Sequence, residues 1–317
     1  MVCLDQKTTR KKSDITIYVV GGSSHLGQYL YKRSKGSNSP LAGAIWTHYG
    51  NKLPYTVGFD LESNPLTSIL GTLSDVDSVL LLSGITEPSE VYTREHFAKR
   101  INLEATQQFL GFVLERGAKL FFFSSVEVFD GTSTPINEYT QTNSLNAYGK
   151  MKESNEKLIL DMFPSGKFSI LRTPWIVNPV PGSRCIVSQT AKGIIAGEMK
   201  FADNYLISLV SAEQVWQNFQ VLLNEELIPL PPRAHFVSRG FISRYELACH
   251  IGKKLLKAKY PIHLGRFEDL ALVEPRSRDT RMISKVTWHN PFTKPEDIFS
   301  VINKQIETLK IRREIVY

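Results

Sequence analysis

The sequence predicts an α/β fold, in which a doubly wound parallel sheet is followed by a smaller, mostly helical domain. Short β-branched and aromatic runs alternate with longer amphipathic stretches, as in parallel strands joined by crossover helices. The runs VLLL and LFFF are apolar throughout, as strands covered on both faces of a sheet must be. After Arg172 several prolines interrupt this alternation, and shorter helical segments follow.

The alternating runs give the positions of the individual elements. In the first half the predicted strands are 15–20, 44–47, 78–82, 119–123 and 167–171, and the predicted helices are 25–33, 92–116 and 146–162. In the second half we predict helices at 186–196, 212–224 and 243–257 and a short strand at 235–237. The predicted organisation is a flexible basic tail (1–13), a dinucleotide-binding domain (14–173) and a substrate domain (174–317), with strand crossings back to the first domain allowed.

Composition excludes several classes of protein. With 42% apolar and 22% charged residues among 317, the chain matches a soluble globular enzyme and not a disordered protein. The net charge of +7 is concentrated partly in the N-terminal tail. A basic tail can contact nucleic acid or an anionic membrane, but no basic and aromatic pattern recurs through the body, so we favour a solvated tail and anionic phosphorylated ligands.

Cysteine use and the N-terminus bear on the compartment. Cys3, Cys185 and Cys249 are odd in number and far apart, which indicates neither a disulfide framework nor a metal cluster. The N-terminal apolar run of about six residues is too short for a signal-peptide core or a membrane span. We therefore expect a cytoplasmic protein that binds no metal, nucleic acid or membrane.

A glycine-containing turn follows the first predicted strand. Gly21 and Gly27 lie six residues apart, with Ser24 midway, where the Rossmann dinucleotide-binding turn often has a third glycine. In that turn the helix N-terminus receives the pyrophosphate and the glycines allow close backbone packing. We predict a dinucleotide site, with an ordinary strand-to-helix turn as the alternative. Its predicted cofactor-binding residues are Gly21, Ser23, Ser24, His25, Leu26 and Gly27.

The segment after the second predicted strand bears on the choice of cofactor. AIWTHYGNK contains no Asp or Glu to hold an adenosine ribose diol. His48 and Lys52 are instead candidates to meet a 2′-phosphate, with simple surface exposure as the alternative. The pattern therefore favours NADP(H) over NAD(H).

The residues for chemistry lie in FFFSSVEVFDG and NAYGKMK. Tyr148 and Lys152 are four residues apart, so on a helix they project from one face, and the ammonium would lower the tyrosine pKa. Ser125 follows an apolar strand at the edge where parallel sheets bind ligands. Its hydroxyl can bind a substrate carbonyl beside Tyr148, which predicts proton transfer coupled to hydride transfer.

These motifs resemble the extended short-chain dehydrogenase/reductases, and within them the dTDP-4-dehydrorhamnose reductase-like branch. GGSSHLG is similar to that branch's GxxGxLG turn, SSVEVFDG to its S-T-x-x-VFDG block, and NAYGKMK to its YGKxK helix. Further agreement occurs in INLEATQQFL, LRTPWIVNP and SRYELA, so that the resemblance covers about 15–285. It departs at Val126, where the branch often has Asp, and at Glu127, where it often has an aromatic residue.

The resemblance implies roles for individual residues. Tyr148 would be the general acid, Lys152 would bind the nicotinamide ribose, and Ser125 would orient the keto group. Asn102 falls at a structural and proton-relay asparagine, with a purely structural role as its alternative.

By the same resemblance Asp60 and Leu61 would contact adenine, with a loop-end turn role as the alternative for Asp60, and Ser83 and Gly84 would line the cofactor. Glu127 would lie at the substrate edge of the site. A nucleotide diphosphate also suits the basic balance of the chain, so Arg172, Arg184 and Arg244 are candidates to hold its phosphates, with surface or structural roles as the alternative.

The expected function is NAD(P)H-dependent reduction of a keto group on a nucleotide-activated 4-keto-6-deoxy sugar. The alternatives are a nucleotide-sugar epimerase and a non-catalytic NADP-binding regulatory subunit, such as that of methionine adenosyltransferase. By fold analogy, helices around 92–116 and 146–163 would pair in a homodimer.

Overall fold

The computed structural model describes residues 15–36, 39–50, 53–181, 185–197, 199–223, 230–285 and 294–312. The predicted tail, Lys52 and Arg184 lie outside these residues. None of the helices within the described ranges is long and apolar enough to cross a membrane.

The structure contains short strands and helices in alternation. The strands are β1 (Ile17–Val20), β2 (Ile45–His48), β3 (Val57–Gly58), β4 (Ser78–Leu81), β5 (Lys119–Ser125), β6 (Phe168–Thr173), β7 (Trp175–Val177), β8 (Lys200–Ala202), β9 (Leu206–Ile207), β10 (Leu209–Ser211), β11 (Arg233–His235), β12 (Ile242–Ser243), β13 (His263–Gly265) and β14 (Asp279–Thr280). The helices are α1 (His25–Ser34), α2 (Thr67–Leu70), α3 (Pro88–Thr93), α4 (Glu95–Lys99), α5 (Thr106–Glu115), α6 (Ala147–Met162), α7 (Ile186–Ala196), α8 (Ala212–Leu223), α9 (Arg244–Lys254) and α10 (Ile298–Arg312). A π-helical segment, Arg100–Ala105, joins α4 to α5, and 3-10 turns lie at Val126–Val128 and Phe267–Asp269.

Seven strands form the central sheet in the order β11-β6-β5-β4-β1-β2-β3. Each neighbouring pair is parallel; Val19 of β1, for example, lies opposite Leu80 of β4 and Trp46 of β2. The chain order reverses between β1 and β4, and ligands of open α/β sheets bind in the crevice at such a reversal. The predicted doubly wound α/β fold is therefore confirmed.

Alternate side chains of the central strands enter different cores, as a pleated sheet requires. Phe121 faces α8, where its ring lies 5.1 Å from that of Phe219. Phe122, the next residue, packs on the opposite face with Phe109 of α5 and Ile159 of α6. Burial on both faces explains why LFFF is apolar throughout.

The second half of the chain contributes to two places. Helices α7, α9 and α10 build a separate apolar core with short strands. In contrast, α8 packs against the central sheet, and β11 joins its edge with His235 opposite Arg172. A boundary drawn at residue 173 therefore leaves α8 and β11 attached to the sheet of the first half.

The single helix predicted over 92–116 is divided in the structure. Arg94 has φ −126° and ψ 41°, which ends α3 and starts α4. The π-helical segment that follows contains Asn102, whose side chain bonds the backbone of Ile85. Helix propensity alone does not reveal this interruption, since it depends on a partner beyond strand β4.

Candidate functional site

The turn between β1 and α1, here called the glycine turn (residues 21–27), is closed by backbone contacts. Gly21 has φ +97°, and a Cβ there would lie 2.6 Å from the backbone nitrogen of Ser83. A Cβ on Gly27 would lie 2.5 Å from the carbonyl oxygen of Gly21. Only glycine fits these two positions, so the turn brings the start of α1 directly against the ends of β1 and β4.

Ser24 occupies the position of the absent middle glycine and acts as the N-cap of α1. Its Oγ accepts a hydrogen bond from the backbone N–H of Gly27 at 3.0 Å. The neighbouring Ser23 donates to the carbonyl of Tyr49 and accepts from its N–H, both at 3.0 Å, which ties the turn to the end of β2. Both serines therefore stabilise the turn.

A cleft of about 570 Å³ opens beside the glycine turn. Its walls come from the start of α1, the ends of β4 and β5, helix α6, and the β7 region of the second half. The lining residues include Ser24, His25, Leu26, Gly84, Glu87, Ser125, Glu127, Tyr148, Lys152, Trp175 and Arg276. The structure thus brings the predicted cofactor turn and the predicted chemical residues to one cavity.

Ser125 and Tyr148 meet at the wall of this cleft. Both residues line the cleft, and Tyr148 is 5% exposed. The close approach of α6 to the β5 end requires Gly149, because a Cβ there would overlap the carbonyl oxygen of Glu127. Asn146 starts the helix by accepting from the Gly149 N–H at 2.8 Å. These backbone constraints fix where the phenol of Tyr148 stands.

The electrostatics of Tyr148 differ from the expectation. Burial raises its pKa, and the charges of Glu127 and Glu87 raise it further, while the hydrogen bond with Ser125 opposes them. The prediction that Lys152 lowers the pKa of Tyr148 is therefore wrong for this arrangement. The consequence is that Tyr148 keeps its proton at neutral pH.

Lys152 lies on the same face of α6, four residues after Tyr148. Its Nζ donates to the carbonyl oxygen of Phe123 at 2.8 Å and stands 4.7 Å from the ring centre of Phe122. Burial lowers the pKa of Lys152 to about 8, and the nearby Glu156 opposes this shift. The ammonium is thus held at the end of β5, in the cleft wall.

Asn102 has its side chain fully engaged with the chain after β4. Its Nδ2 donates to the carbonyl of Ile85 and its Oδ1 accepts from the Ile85 N–H, both at 2.8 Å. Its own carbonyl accepts from Nδ2 of Asn155 at 2.8 Å. A Cβ on Gly84, where φ is +142°, would lie 3.0 Å from the Asn102 Oδ1. The structure therefore gives Asn102 a structural place, in which it shapes the cleft wall at Gly84.

Arg172 is placed away from the cleft, contrary to the prediction that it binds substrate. Its side chain is 2% exposed and pairs with Glu156, with Nη2 at 2.6 Å from Oε2. Ser124 donates to the same carboxylate at 2.5 Å. The Arg172 guanidinium is therefore paired in the interior, where it connects β6 to α6, and it is not placed to bind a phosphate.

Arg244 lies behind the cleft wall. Its guanidinium stands 6.0 Å from the ring centre of Trp175, which lines the cleft. Burial lowers the pKa of Arg244. The residue is half-buried at the start of α9 and is not among the residues that line the cleft.

The remaining predicted cofactor residues lie at or just after the ends of strands β2, β3 and β4. The His48 ring is hydrogen-bonded to Thr56 at 2.8 Å. The Asp60 carboxylate accepts from the Glu62 N–H and the Ser63 hydroxyl, which closes its own turn. Leu61 packs in the core, and Ser83 donates its N–H to the carbonyl of Val20. The Asp60 carboxylate thus has the turn-closing role that was the alternative to adenine contact.

Two cleft features were not found by sequence reasoning. Arg276 reaches the cleft from the second half, where its Nη2 lies 3.4 Å from Glu87, and its Nε donates to Glu274 at 2.5 Å. Asn146 donates to Glu127 at 2.6 Å and to the carbonyl of Pro275 at 3.1 Å. An Asn before a helix was a readable cap signal, whereas nothing local in EPRSRDTR distinguishes Arg276 from its neighbours.

The cleft fits a nicotinamide dinucleotide. The glycine turn leaves no room for a side chain at Gly21 or Gly27, and such backbone cradles at a helix N-terminus receive a pyrophosphate. Ser24, His25 and Leu26 line the same cavity as Tyr148 and Lys152. The turn and the chemical residues are therefore placed for one ligand.

Known proteins similar in sequence include two of different function. A methionine adenosyltransferase 2 subunit beta of Xenopus tropicalis is 25% identical over 61% of this chain and 56% of its own length. A dTDP-4-keto-6-deoxy-D-glucose reductase of Streptomyces niveus is 29% identical over 50% of this chain and 51% of its own length. The chain thus spans about half the length of the curated relatives it matches.

Similar solved structures share the fold. A dTDP-4-dehydrorhamnose reductase of Clostridium acetobutylicum has a TM-score of 0.78 at 19% identity, covering 93% of this chain and 100% of its own. The Bacillus anthracis enzyme in complex with NADP has a TM-score of 0.74 at 16% identity, covering 94% and 99%. MoeE5 in complex with UDP-glucuronic acid and NAD has a TM-score of 0.74 at 17% identity, covering 95% and 100%. The RmlD substrate binding domain family matches residues 15–307, and the chain belongs to that family.

Proposed function

We propose that the protein reduces a keto group on a nucleotide-activated 4-keto-6-deoxy sugar at the expense of NADPH. The observation that carries the proposal is that Ser125, Tyr148 and Lys152 line one cleft together with residues of the glycine turn. Hydroxyl donors beside a dinucleotide cradle suit an oxygen that gains negative charge. The choice of substrate rests on relatives whose names specify dTDP-4-keto sugars.

The glycine turn and its flanks would hold the cofactor. The N-terminus of α1 offers backbone N–H groups and a positive dipole end to the pyrophosphate. When bound, NADPH supplies the hydride for the keto carbon. The sequence from 44 to 59 contains no Asp or Glu for a ribose diol, so we infer a preference for NADPH over NADH.

The chain's own side chains manage the proton. Burial and the charges of Glu127 and Glu87 raise the pKa of Tyr148, so the phenol is protonated at neutral pH. Its proton goes to the substrate oxygen as negative charge develops there. Ser125 donates a hydrogen bond to the same oxygen and stabilises the charge that forms there. The ammonium of Lys152, fixed on the Phe123 carbonyl, adds a positive field to that wall of the cleft.

The test uses purified protein with NADPH, and separately with NADH, on a panel of nucleotide 4-keto-6-deoxy sugars. We expect NADPH absorbance at 340 nm to fall only when a keto sugar is present. The reduced product would be identified by NMR. Absence of turnover on the whole panel, with intact cofactor binding, would contradict the proposal.

A second candidate is a non-catalytic NADP-binding regulatory subunit. It is favoured by one observation, the similarity to methionine adenosyltransferase 2 subunit beta. The two functions differ in a direct way: a regulatory subunit binds a catalytic methionine adenosyltransferase subunit at fixed stoichiometry and turns over no keto sugar. Sedimentation with that subunit, run beside the turnover assay, separates them.

A further inference from the structure

One wall of the cleft carries a carboxyl group that the proposed proton transfer does not use. Glu127 lines the cleft and is 9% exposed. It is the middle residue of the 3-10 turn that follows β5. Its charge acts on the phenol of Tyr148. Glu127 therefore lines the same cleft as the proposed proton donor.

The position of Glu127 is fixed from both halves of the chain. Its Oε2 accepts a hydrogen bond from Nδ2 of Asn146 at 2.6 Å. Asn146 is itself held by the Gly149 N–H and by the carbonyl of Pro275. Helix α6 packs on the backbone of Glu127 at Gly149. A carboxyl held in this way cannot swing out of the cleft without losing its hydrogen bond from Asn146.

Two carboxyl groups act on Tyr148 from the cleft wall. They belong to Glu87 and Glu127, which both line the cleft and together form what we call the acidic wall (Glu87 and Glu127). The Lys152 ammonium lies on the β5 side of the cleft, where it donates to the carbonyl of Phe123. Among the described residues, the guanidinium that lines the cleft is that of Arg276, which is shared between Glu87 and the buried Glu274. Its positive charge is therefore already balanced on this side of the cleft.

We propose that the acidic wall, through Glu127, makes the cleft select a nucleotide sugar that carries an amino group over one that carries a carboxylate. This inference rests on the proposed function and names the substrate class within it. An ammonium or N–H donor brought beside Glu127 meets an acceptor fixed by Asn146. A sugar carboxylate at the same place meets the two carboxylates of the acidic wall.

The physical basis is charge discrimination at short range. Like charges a few ångströms apart repel, and the repulsion grows as water is excluded. Burial raises the pKa of Glu127, while Arg276 and Asn146 oppose that rise. A bound ammonium would act in the same direction as Arg276 and favour the charged carboxylate.

The experiment measures binding and not turnover. Affinities for glucosamine, glucose and glucuronic acid, each supplied as its uridine and its thymidine diphosphate, are determined by calorimetry in the presence of NADPH. The variants are Glu127→Gln, which keeps the shape of the side chain, and Glu87→Gln at the 27% exposed rim position. Glu95→Gln, an exposed carboxyl on α4, is the control for an equal change in net charge.

For the wild-type protein we expect the amino sugar to bind about tenfold or more tightly than the uronate, with the neutral sugar between them. Glu127→Gln should reduce this ratio to within about threefold, and Glu95→Gln should leave it unchanged. A wild-type ratio of one or below, or a ratio that survives both Glu127→Gln and Glu87→Gln, would overturn the proposal.

Failure of the inference and failure of the proposed function give different results. Binding of all three sugars with equal affinity contradicts the inference alone, because the nucleotide-sugar site then exists without charge selection. Binding of none of them contradicts both. Should Glu127→Gln not fold, as shown by its circular dichroism, Glu87→Gln still decides the matter, since Glu87 is not part of the packed core.

Discussion

The two sides of the cleft are held by different physical means. On the proposed cofactor side, the glycine turn is fixed by backbone atoms that approach too closely for any side chain at Gly21 or Gly27. On the proposed substrate side, Glu127 and Glu87 are fixed by side-chain partners, namely Asn146 and Arg276. The first arrangement depends on shape alone, and the second depends on charge.

This difference decides what each side can change. A backbone cradle binds the same diphosphate in every chain that forms it, so its residues are restricted to glycine and helix-capping types. A wall made of paired charges can be altered by one substitution that keeps the fold. We therefore expect cofactor binding to be shared broadly within the family and substrate choice to be particular to this chain.

The largest expected effect comes from breaking the buried ion pair between Arg172 and Glu156. Arg172→Met leaves Glu156 unpaired and buried, which should lower the free energy of unfolding by about 3–5 kcal/mol. The control is Arg266→Met, since the Arg266–Asp203 pair is 60% and 43% exposed and should cost less than about 1 kcal/mol. Urea unfolding measures both. Equal losses in the two variants would show that the Arg172 pair is not buried as described.

The next effect comes from breaking the backbone side. Gly27→Ala places a methyl group 2.5 Å from the Gly21 carbonyl oxygen. We expect a loss of about 1–3 kcal/mol in stability and a weaker affinity for NADPH, measured by fluorescence titration. Gly43→Ala is the matched control, because nothing lies within 4 Å of a Cβ there. Unchanged NADPH affinity in Gly27→Ala would remove the turn from the cofactor site.

The buried Lys152 should also affect the pH dependence of stability. Folded Lys152 has a pKa of about 8, lowered by burial, whereas the unfolded chain holds that proton up to about pH 10.5. Between these values the unfolded state binds more protons, so stability rises with pH. From pH 7 to pH 9 the rise should be about 1 kcal/mol greater in the wild type than in Lys152→Met.

Lys150→Met serves as the control for this pH effect. Lys150 is exposed on the same helix, so its replacement should leave the pH dependence of the unfolding midpoint as in the wild type. If the free energy of unfolding rises equally in Lys152→Met and in the wild type between pH 7 and pH 9, then burial does not lower the pKa of Lys152.

The smallest effect sharpens the role of Ser24. As an N-cap, Ser24 should cost about 1 kcal/mol when replaced by Ala and only a few tenths when replaced by Gly. NADPH affinity should be nearly equal in Ser24→Gly and the wild type. Tighter NADPH binding by Ser24→Gly would instead mean that the serine crowds the phosphate.

Sequence patterns predicted those features that local geometry determines. The strands, the glycine turn and the helical spacing of Tyr148 and Lys152 follow from periodicity and from backbone requirements, and the structure places them as expected. Ser125 could be placed because parallel strands end at a common edge. These features need only neighbouring residues for their interpretation.

The remaining features depend on residues far apart in the chain. Arg172 was a candidate to hold a phosphate because a nucleotide diphosphate suits the basic balance of the chain, but Glu156 of α6 pairs with it in the interior. The pKa of Tyr148 was expected to fall because Lys152 is near it in sequence, yet Glu127 and burial raise it. Arg276 enters the cleft from the second half. Neither periodicity nor motif spacing reports such contacts.

The most direct test of the whole account follows the hydride and the proton together. NADPH labelled with deuterium at the nicotinamide C4 is mixed with a nucleotide 4-keto-6-deoxy sugar, and the product is examined by NMR. We expect deuterium on the former keto carbon, and a Tyr148→Phe rate lower by about 10²- to 10⁴-fold with NADPH affinity retained. Tyr139→Phe, at a 78% exposed tyrosine, should match the wild type. A product without deuterium, or Tyr148→Phe turnover at the wild-type rate, would contradict the account.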